Sequence, residues 1–308
     1  MIRQLVFKFV LLSGLFVGTQ TIASTLEVQK VTDNVYAVVG AIGQRAPDNL
    51  GNNATYGFVI TKAGVVLIDA GGSFKGAKKL HQAIQTITKK KIIVVINTGG
   101  QDQRWMGNDY FKKQGAKIIA AKATVHDQKK RVNKQLSFLE KLVGKKGMAG
   151  TLPVYADEIF DAKHNMTIGG VQFYLNNPGT AHTPGDTYVW LPQHKIAFSG
   201  DIIYVERILA VSSVSKSKGW LHSFEKIASL KPIVIVPGHG HIVDLKKATA
   251  DTYDYLVALR EGVNMLIDQG EGLESVSRIN QSQFNYLKFF DDLKGRNAHQ
   301  VFQEMEWD

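Results

Sequence analysis

Two different spacings of apolar residues along the sequence predict the strands and the helices of this chain. Apolar residues that alternate with polar ones, or that run together between turn residues such as Gly, Asn and Asp, predict β-strands. Apolar residues that recur at spacings of three and four predict helices. The first pattern predicts strands over residues 26–31, 34–39, 56–61, 65–69, 92–96, 117–120, 165–169, 171–175, 187–191, 195–199 and 233–236. The second predicts helices over residues 74–88, 105–114, 124–143, 217–227, 245–268, 282–293 and 298–305.

The order of these elements predicts one α/β domain. Strands and helices are mixed in two halves of similar length, and residues 144–150 (GKKGMAG) are expected to form a surface loop between the halves. The continuous apolar run at residues 92–96 (IIVVI) is typical of a strand that is buried on both faces. Helices that cover the outer faces of two sheets are a stable layer arrangement for such a chain. We therefore predict an αββα sandwich, with a single domain over residues 24–308.

Residues 1–23 have the pattern of an export signal. Arg3 and Lys8 precede an apolar run over residues 9–17, and small residues follow just before Ser24. This order is typical of a cleaved secretory signal peptide, and an uncleaved anchor is the alternative. The run is too short to cross roughly 30 Å of hydrocarbon, and no later segment approaches about 20 apolar residues. We therefore expect a periplasmic protein without stable membrane insertion.

Cysteine content and charge narrow the chemistry and the partners. The chain has no cysteine, which excludes disulfides, thiolate nucleophiles and sulfur metal ligands. Its formal charge is +10, because 37 Lys and Arg residues outnumber 27 Asp and Glu residues. Aromatic residues do not interleave with the basic runs, so nucleic acid is not an expected partner. The basic runs indicate a solvated face, and the functional alternative is weak attraction to anionic lipid or to an anionic small-molecule substrate or ligand. A periplasmic protein partner stays open.

Four polar motifs lie beside predicted strands. They read NTGGQDQRWMGN at residues 97–108, GTAHTPGD at 179–186, FSGDIIY at 198–204 and VPGHG at 236–240. The last three carry His182, Asp201 and His239. Side chains at neighbouring strand ends can converge at one edge of a sheet, where α/β proteins hold their ligands. Imidazole nitrogen and carboxylate oxygen suit zinc, and also iron or manganese.

In combination, these motifs resemble those of the metallo-β-lactamase superfamily. The family motif at the first place reads Asn-Thr-His-x-His-x-Asp-His, followed by Gly-Asn. Aligned through its two ends, the four metal-ligand positions fall on Gly99, Gln101, Gln103 and Arg104. The resemblance implies that His182 is a ligand of one metal, that Asp201 bridges two metals, and that His239 is a ligand of the other. The run ERILAV also resembles the exported branch of the family that is linked to quinoprotein and sulfur-oxidation systems.

The first motif keeps its frame but none of the family's ligands. Gly99 has no side chain, the two glutamines are neutral amides, and Arg104 is a permanent cation that cannot ligate a metal. We predict that the Arg104 guanidinium replaces one metal electrostatically and holds Asp201 or Asp69 by N–H···O bonds. The resemblance also implies that residues 40–53, a Gly- and Asn-rich loop after the first hairpin, overhang the site as a candidate lid.

Two functions stay open at this point. In the first, the protein is a hydrolase in which His182, Asp201 and His239 hold one zinc, iron or manganese ion. Its metal-bound water would attack an ester, amide, thioester or lactam carbonyl, and Arg104 would stabilise the oxyanion. In the second, no metal is bound and the pocket is a non-catalytic site for a small anion or a periplasmic partner. Asp102 could act as a general base, or it could cap the helix that begins near Arg104.

Overall fold

The chain folds into two β-sheets that are packed face to face and flanked by helices. The computed structural model describes residues 26–307. The predicted signal peptide, residues 1–23, lies outside the described residues, as does the expected start of the domain at residue 24. Within the described part of the chain, no helix is both long enough and apolar enough to cross a membrane.

The first sheet contains the strands of the N-terminal half, in the order of the chain. Its strands are β1 (Glu27–Thr32), β2 (Val35–Val39), β3 (Thr55–Ile60), β4 (Val65–Ile68), β5 (Ile92–Asn97), β6 (Lys117–Ala121) and β7 (Glu158–Phe160). Strands β1 to β4 are antiparallel, whereas β4 to β7 are parallel. As predicted, β5 is almost wholly buried.

The second sheet contains the remaining strands, in the order β12-β11-β10-β9-β8. They are β8 (Lys163–Ile168), β9 (Val171–Asn176), β10 (Tyr188–Leu191), β11 (Ile196–Phe198) and β12 (Val234–Val236). Only the β11–β12 pair of this sheet is parallel. The hairpin between β8 and β9 turns at Gly169 and Gly170, which both have positive φ, as a tight turn requires.

Helices cover the outer face of each sheet. They are α1 (Phe74–Gln85), α2 (Asp102–Trp105), α3 (Asn108–Lys113), α4 (Lys122–Met148), α5 (Ser217–Ser229), α6 (Leu245–Ala248), α7 (Asp254–Asp268) and α8 (Phe290–Met305). Helix α1 begins where predicted, because the Ser73 side chain accepts a hydrogen bond from the Gly76 amide at 2.9 Å. A π-helical segment, Thr249–Tyr253, joins α6 to α7.

Three apolar layers hold this arrangement together. Ile96 of the first sheet and Phe198 of the second belong to the layer between the two sheets. Leu80 of α1 packs with Leu67 in the layer outside the first sheet. The largest layer lies outside the second sheet and includes Trp220. The structure is the predicted αββα sandwich, because each sheet buries one face on the other sheet and one face under helices.

Several predicted boundaries are wrong. The predicted helix 105–114 is split into α2 and α3 at Gly107, where an added Cβ would lie 2.0 Å from the Ala70 carbonyl oxygen. Residues 145–148 are not loop, because α4 continues past a kink at Gly144 (φ 80°) to Met148. Strand β7 has no counterpart among the predicted strands. The two predicted C-terminal helices are replaced by short 3₁₀ turns and the single helix α8.

Candidate functional site

Strand ends from both sheets meet at one edge of the sandwich. Asp69 follows β4 and Thr98 follows β5, while Asp201 and His239 lie just past β11 and β12. The Thr98 carbonyl accepts a hydrogen bond from the Thr187 amide at 2.7 Å, which links the two sheets. Asp69 has a left-handed backbone (φ 67°), a conformation that non-Gly residues rarely adopt and that occurs at functional sites.

Arg104 lies at the centre of this edge and is fully buried. Its Nη1 donates to Asp69 Oδ2 at 2.8 Å, and its Nη2 donates to Asp201 Oδ1 at 2.5 Å. The same two nitrogens donate to the carbonyl oxygens of Thr55 at 3.0 Å and Gly238 at 2.8 Å. The predicted contact between Arg104 and a carboxylate is therefore present, and it involves both candidate carboxylates.

Gly238 makes room for the guanidinium. An added Cβ at this position would lie 2.7 Å from Arg104 Nη2 and 2.3 Å from the Gly200 carbonyl oxygen. Neither distance is compatible with an ordinary side chain. Gly238, the first glycine of the VPGHG motif, is therefore needed for the close approach of a buried cation to the backbone.

Arg104 stabilises the negative charge of both carboxylates at this edge. Burial raises the pKa of Asp69 to about 6, although Arg104 and hydrogen bonds from the Thr98 amide and hydroxyl oppose that shift. Burial also disfavours ionised Asp201, but Arg104 and His239 keep its pKa well below the usual range. One guanidinium thus neutralises part of the negative charge of two buried carboxylates, as a bound metal cation would.

The two histidines of the predicted metal set have different surroundings. His239 Nε2 lies 3.2 Å from Asp201 Oδ1, and the ring stacks on Tyr204 with centroids 4.4 Å apart. His182 packs instead against Trp220 at a centroid distance of 5.2 Å. Burial lowers the pKa of His239 to about 3 and that of His182 to about 4, so both rings are neutral at neutral pH. The Nδ1 atoms of both rings are buried without a hydrogen-bond partner among the described residues.

Asp102 is bound by an arginine that the sequence did not point to. Arg45, from the loop over residues 40–53, donates to Asp102 Oδ1 from Nε at 3.0 Å and forms an ion pair with it through Nη2. Asp102 is the first residue of α2 and Gln101 is its N-cap, but Asp102 Oδ1 accepts a hydrogen bond from the Gln103 amide at 2.8 Å, so the carboxylate binds a first-turn amide as a capping side chain does. The only signal for Arg45 was its place in a loop expected to overhang the site.

The remaining ligand positions of the first motif are used for other contacts. Gln103 donates from Nε2 to Asp201 Oδ2 at 3.0 Å and accepts a hydrogen bond from Arg45. Gln101 accepts a hydrogen bond from Arg131 at 3.1 Å. An added Cβ at Gly99 would lie 2.8 Å from Asp186 Oδ1. Side chains therefore fill or bind the places where the family keeps its ligands.

These residues do not fit the metal ions that the resemblance implies. Both Asp201 oxygens accept hydrogen bonds, one from Arg104 and one from Gln103. Among residues 26–307, no group of three His, Asp or Glu side chains is arranged to hold a metal ion. Asp201 and His239 lie together, as predicted, and His182 lies close to them, since its ring packs against Tyr204, on which His239 stacks. A metal ion held by all three residues would have to displace Arg104 or Gln103 from Asp201.

A cavity of about 420 Å³ opens beside this cluster. The loop over residues 40–53 borders it, and Arg207 holds that loop by donating from Nη1 to the carbonyl oxygens of Ile42 at 2.8 Å and Gly43 at 3.3 Å. The lining residues are Gln44, Arg45, Gln101, Phe138, His182, Arg207, Ala210, Ser212, Phe289, Asp292, Leu293 and Arg296. The expectation that the loop overhangs the site is consistent with these contacts.

Comparison with known proteins places the fold and motifs in one family. The family model described as the metallo-beta-lactamase superfamily matches residues 50–239, which is more than half of the chain. The chain is 28% identical over 233 residues to a metallo-beta-lactamase type 2 from Elizabethkingia meningoseptica, covering 73% of this chain and 82% of the relative. It is 24% identical over 226 residues to a metallo-beta-lactamase type 2 from Bacillus cereus, covering 71% and 78%.

Solved structures show the same fold. A metallo-beta-lactamase from Pontibacter korlensis superposes with a TM-score of 0.59 and 23% identity, over 73% of this chain and 96% of that one. The inverting sec-alkylsulfatase Pisa1 from Pseudomonas sp. gives a TM-score of 0.68 and 18% identity, over 90% of this chain but only 50% of the sulfatase. With the sandwich, the strand-end motifs and the family match taken together, the chain belongs to the metallo-β-lactamase superfamily.

Proposed function

We propose that this hydrolase-like member of the superfamily binds a small anion without a metal ion and does not hydrolyse it through metal-bound water. The observation that carries the proposal is the position of Arg104, whose guanidinium binds Asp69 and Asp201 at once. The cation is part of the chain and cannot dissociate or activate a water molecule. The pocket that is lined by Gln101 and His182 of the motifs also carries Arg45, Arg207 and Arg296, and this positive lining favours an anionic ligand.

Electrostatics supports the same proposal. Two unit charges about 4 Å apart interact by about 4 kcal/mol at an effective dielectric near 20, so Arg104 would repel a divalent ion at that distance by about 8 kcal/mol. This repulsion offsets much of the attraction that Asp69 and Asp201 would exert on the ion. The metal would also have to displace the hydrogen bonds of Asp201 from Arg104 and Gln103. Binding of a single metal ion therefore requires rearrangement of the buried cluster.

The competing candidate is a single-metal hydrolase that uses His182, Asp201 and His239. The unpartnered Nδ1 atoms of the two histidines favour it, because buried polar atoms normally find a partner. In that enzyme Arg104 would stabilise the oxyanion, and Asp102 would serve as general base only after release from Arg45. Substrates would be esters, amides, thioesters or lactams.

Metal analysis with a hydrolysis screen separates the two candidates. The purified protein is dialysed against zinc, iron or manganese, washed, and analysed for metal per chain, and ester, thioester and lactam substrates are tested with and without chelator. The proposal predicts no stoichiometric metal, no chelator-sensitive turnover and no change of melting temperature with chelator. Stoichiometric metal that His182→Gln removes but His126→Gln, at an exposed helical histidine, retains would instead support the hydrolase.

We also propose that the protein acts in the periplasm. Support comes from the basic, apolar and small-residue order of residues 1–23 and from the absence of cysteine in the chain. Its partners would then be small anions or a protein of the same compartment.

A further inference from the structure

The pocket beside Arg104 has two chemically different walls. His182, Gln101, Arg45 and Arg207 line it with polar groups, whereas Phe138 and other apolar side chains also face it. A volume of about 420 Å³ falls within the range of small-molecule sites. The two kinds of lining indicate a ligand with a polar head and an apolar body.

The charged lining is mainly positive. Of the four charged residues that line the pocket, Arg45, Arg207 and Arg296 are cations, and Asp292, which is exposed, is the only carboxylate. Among the described residues, neither Arg207 nor Arg296 forms an ion pair, and the hydrogen bonds of Arg207 to the loop use Nη1 alone. A guanidinium with a free N–H group recognises an oxyanion such as a carboxylate, sulfate or phosphate.

The apolar lining comes from two separate helices. Phe138 belongs to α4, while Phe289 and Leu293 lie at the start of α8. Phe138 is 44% exposed and Phe289 is 37% exposed, which is unusual for large apolar side chains. Exposed apolar side chains that converge on one cavity are typical of a ligand site.

Backbone hydrogen bonds between residues 206–208 and Lys288 hold the cation beside the apolar wall. Phe289 has φ 62° and Glu206 has φ 65°, both in the left-handed region that residues with side chains rarely adopt. Lys288, between them in space, donates from its amide to the Glu206 carbonyl at 2.9 Å and accepts from the Ile208 amide at 3.0 Å. The result is that the Arg207 guanidinium lies 5.2 Å from the centre of the Phe289 ring. Strain of this kind is found where function requires a fixed geometry.

We infer that the pocket binds an amphiphilic anion, with one oxyanionic head on an aliphatic or aromatic body. The head binds Arg207 and its neighbouring cations, and the body packs against Phe138, Phe289 and Leu293. The inference rests on the proposed function, because it names the class of anion that the metal-free pocket takes. A head group alone would leave the apolar side chains without a contact, and an apolar body alone would leave the cations without an anion.

Calorimetry with matched probes tests this inference. Octanoate and octyl sulfate, below their micelle concentrations, are compared with neutral octanamide, cationic octylammonium and the heads alone, acetate and inorganic sulfate. We expect octanoate or octyl sulfate to bind at least about tenfold more tightly than each of the other four, which corresponds to one good charged contact. Whichever of the two binds more tightly identifies the head group.

Matched variants assign the binding to this pocket. Arg207→Gln and the exposed Arg296→Gln should each weaken octanoate binding by about threefold to tenfold, and Phe138→Ser by a similar factor. Arg278→Gln and Leu152→Ser, at exposed positions outside the pocket, should leave binding within about twofold of the parent protein. Because Arg296 and Phe138 are exposed, their variants should fold even if Arg207→Gln does not.

The outcomes distinguish this inference from the proposed function. Acetate or sulfate binding as tightly as octanoate would overturn the amphiphile inference and leave an anion-binding function intact. Three other results would also overturn it: octanamide binds as tightly as octanoate, no probe binds at all, or neither arginine variant changes the affinity. Octyl sulfate that binds through Arg296 but is hydrolysed in a chelator-sensitive way would contradict the proposed function while supporting the inferred ligand class.

Discussion

Replacement of Arg104 by Met is the change that the buried cluster should tolerate least. The guanidinium is fully buried and donates four hydrogen bonds, two to carboxylates and two to backbone carbonyls. Its loss leaves Asp69 and Asp201 facing each other without a cation. Removing one partner of a buried ion pair costs about 3–5 kcal/mol, and each stranded carbonyl adds about 1 kcal/mol or more.

We therefore expect Arg104→Met to lower the free energy of unfolding by at least about 4 kcal/mol. That is a large share of the roughly 5–15 kcal/mol of a typical domain. The measurement is urea denaturation followed by circular dichroism. Arg278→Met is the matched control, because Arg278 also forms an ion pair, with Glu271, but its side chain is 56% exposed and its loss should cost about 1 kcal/mol or less.

Two further results identify the cause as charge rather than lost packing. Without the cation both carboxylates should have raised pKa values, so the variant should regain stability as the pH falls and the carboxylates take up protons. Adding Asp201→Asn to Arg104→Met removes one of the two unpaired charges and should recover roughly 1–2 kcal/mol. An Arg104→Met protein within about 1 kcal/mol of the parent at neutral pH, as for a surface substitution, would refute the reasoning.

Three other predictions concern different parts of the molecule. Gly238→Ala should destabilise the protein by about 1–3 kcal/mol or more in urea denaturation, because its Cβ overlaps the guanidinium. Gly295→Ala is the control, because Gly295 lies in open space on α8, and it should be neutral or stabilising by up to about 1 kcal/mol. Equal effects of the two changes would contradict this prediction. Burial raises the pKa of Asp186 to about 8, above the value of about 4 in an unfolded chain. The contribution of this group to stability is therefore present at acid pH and is lost as the pH rises from about 4 to about 8, by up to about 1.4 kcal/mol per pH unit. Urea midpoints across pH should show this slope in the parent and a smaller one in Asp186→Asn, and identical slopes would contradict it. Mass spectrometry of the protein exported by a bacterial host should find Ser24 at the N-terminus, and an intact Met1 would argue against export by cleavage.

Much of the site could be predicted because strand ends are readable in the sequence. Asp201 and His239 follow apolar strands directly, and the topology then places them at one edge. The contact between Arg104 and a carboxylate followed from the alignment with the family motif, which put a permanent cation at a metal-ligand position where it needs an anion. That Asp69 and Asp201 share the guanidinium depends on the spacing of two sheets, which periodicity along one strand does not encode.

Other features depend on tertiary contacts with no local signal. The loop that carries Arg45 has no periodicity, so nothing in its sequence indicated an ion pair with Asp102. His182 resembles a metal ligand in its motif, but its ring packs against Trp220 from a distant helix. The strained backbone at Phe289 could not be predicted either, because a bulky aromatic residue disfavours positive φ.

The central claim is that Arg104 occupies the place of a metal ion. A crystal structure of the purified protein soaked in zinc, with diffraction data collected on both sides of the zinc absorption edge, tests it most directly. The account predicts guanidinium density within hydrogen-bond distance of both Asp69 and Asp201 and no anomalous peak near His182, Asp201 or His239. An anomalous peak bound to those three side chains, with Arg104 turned away from Asp201, would contradict it.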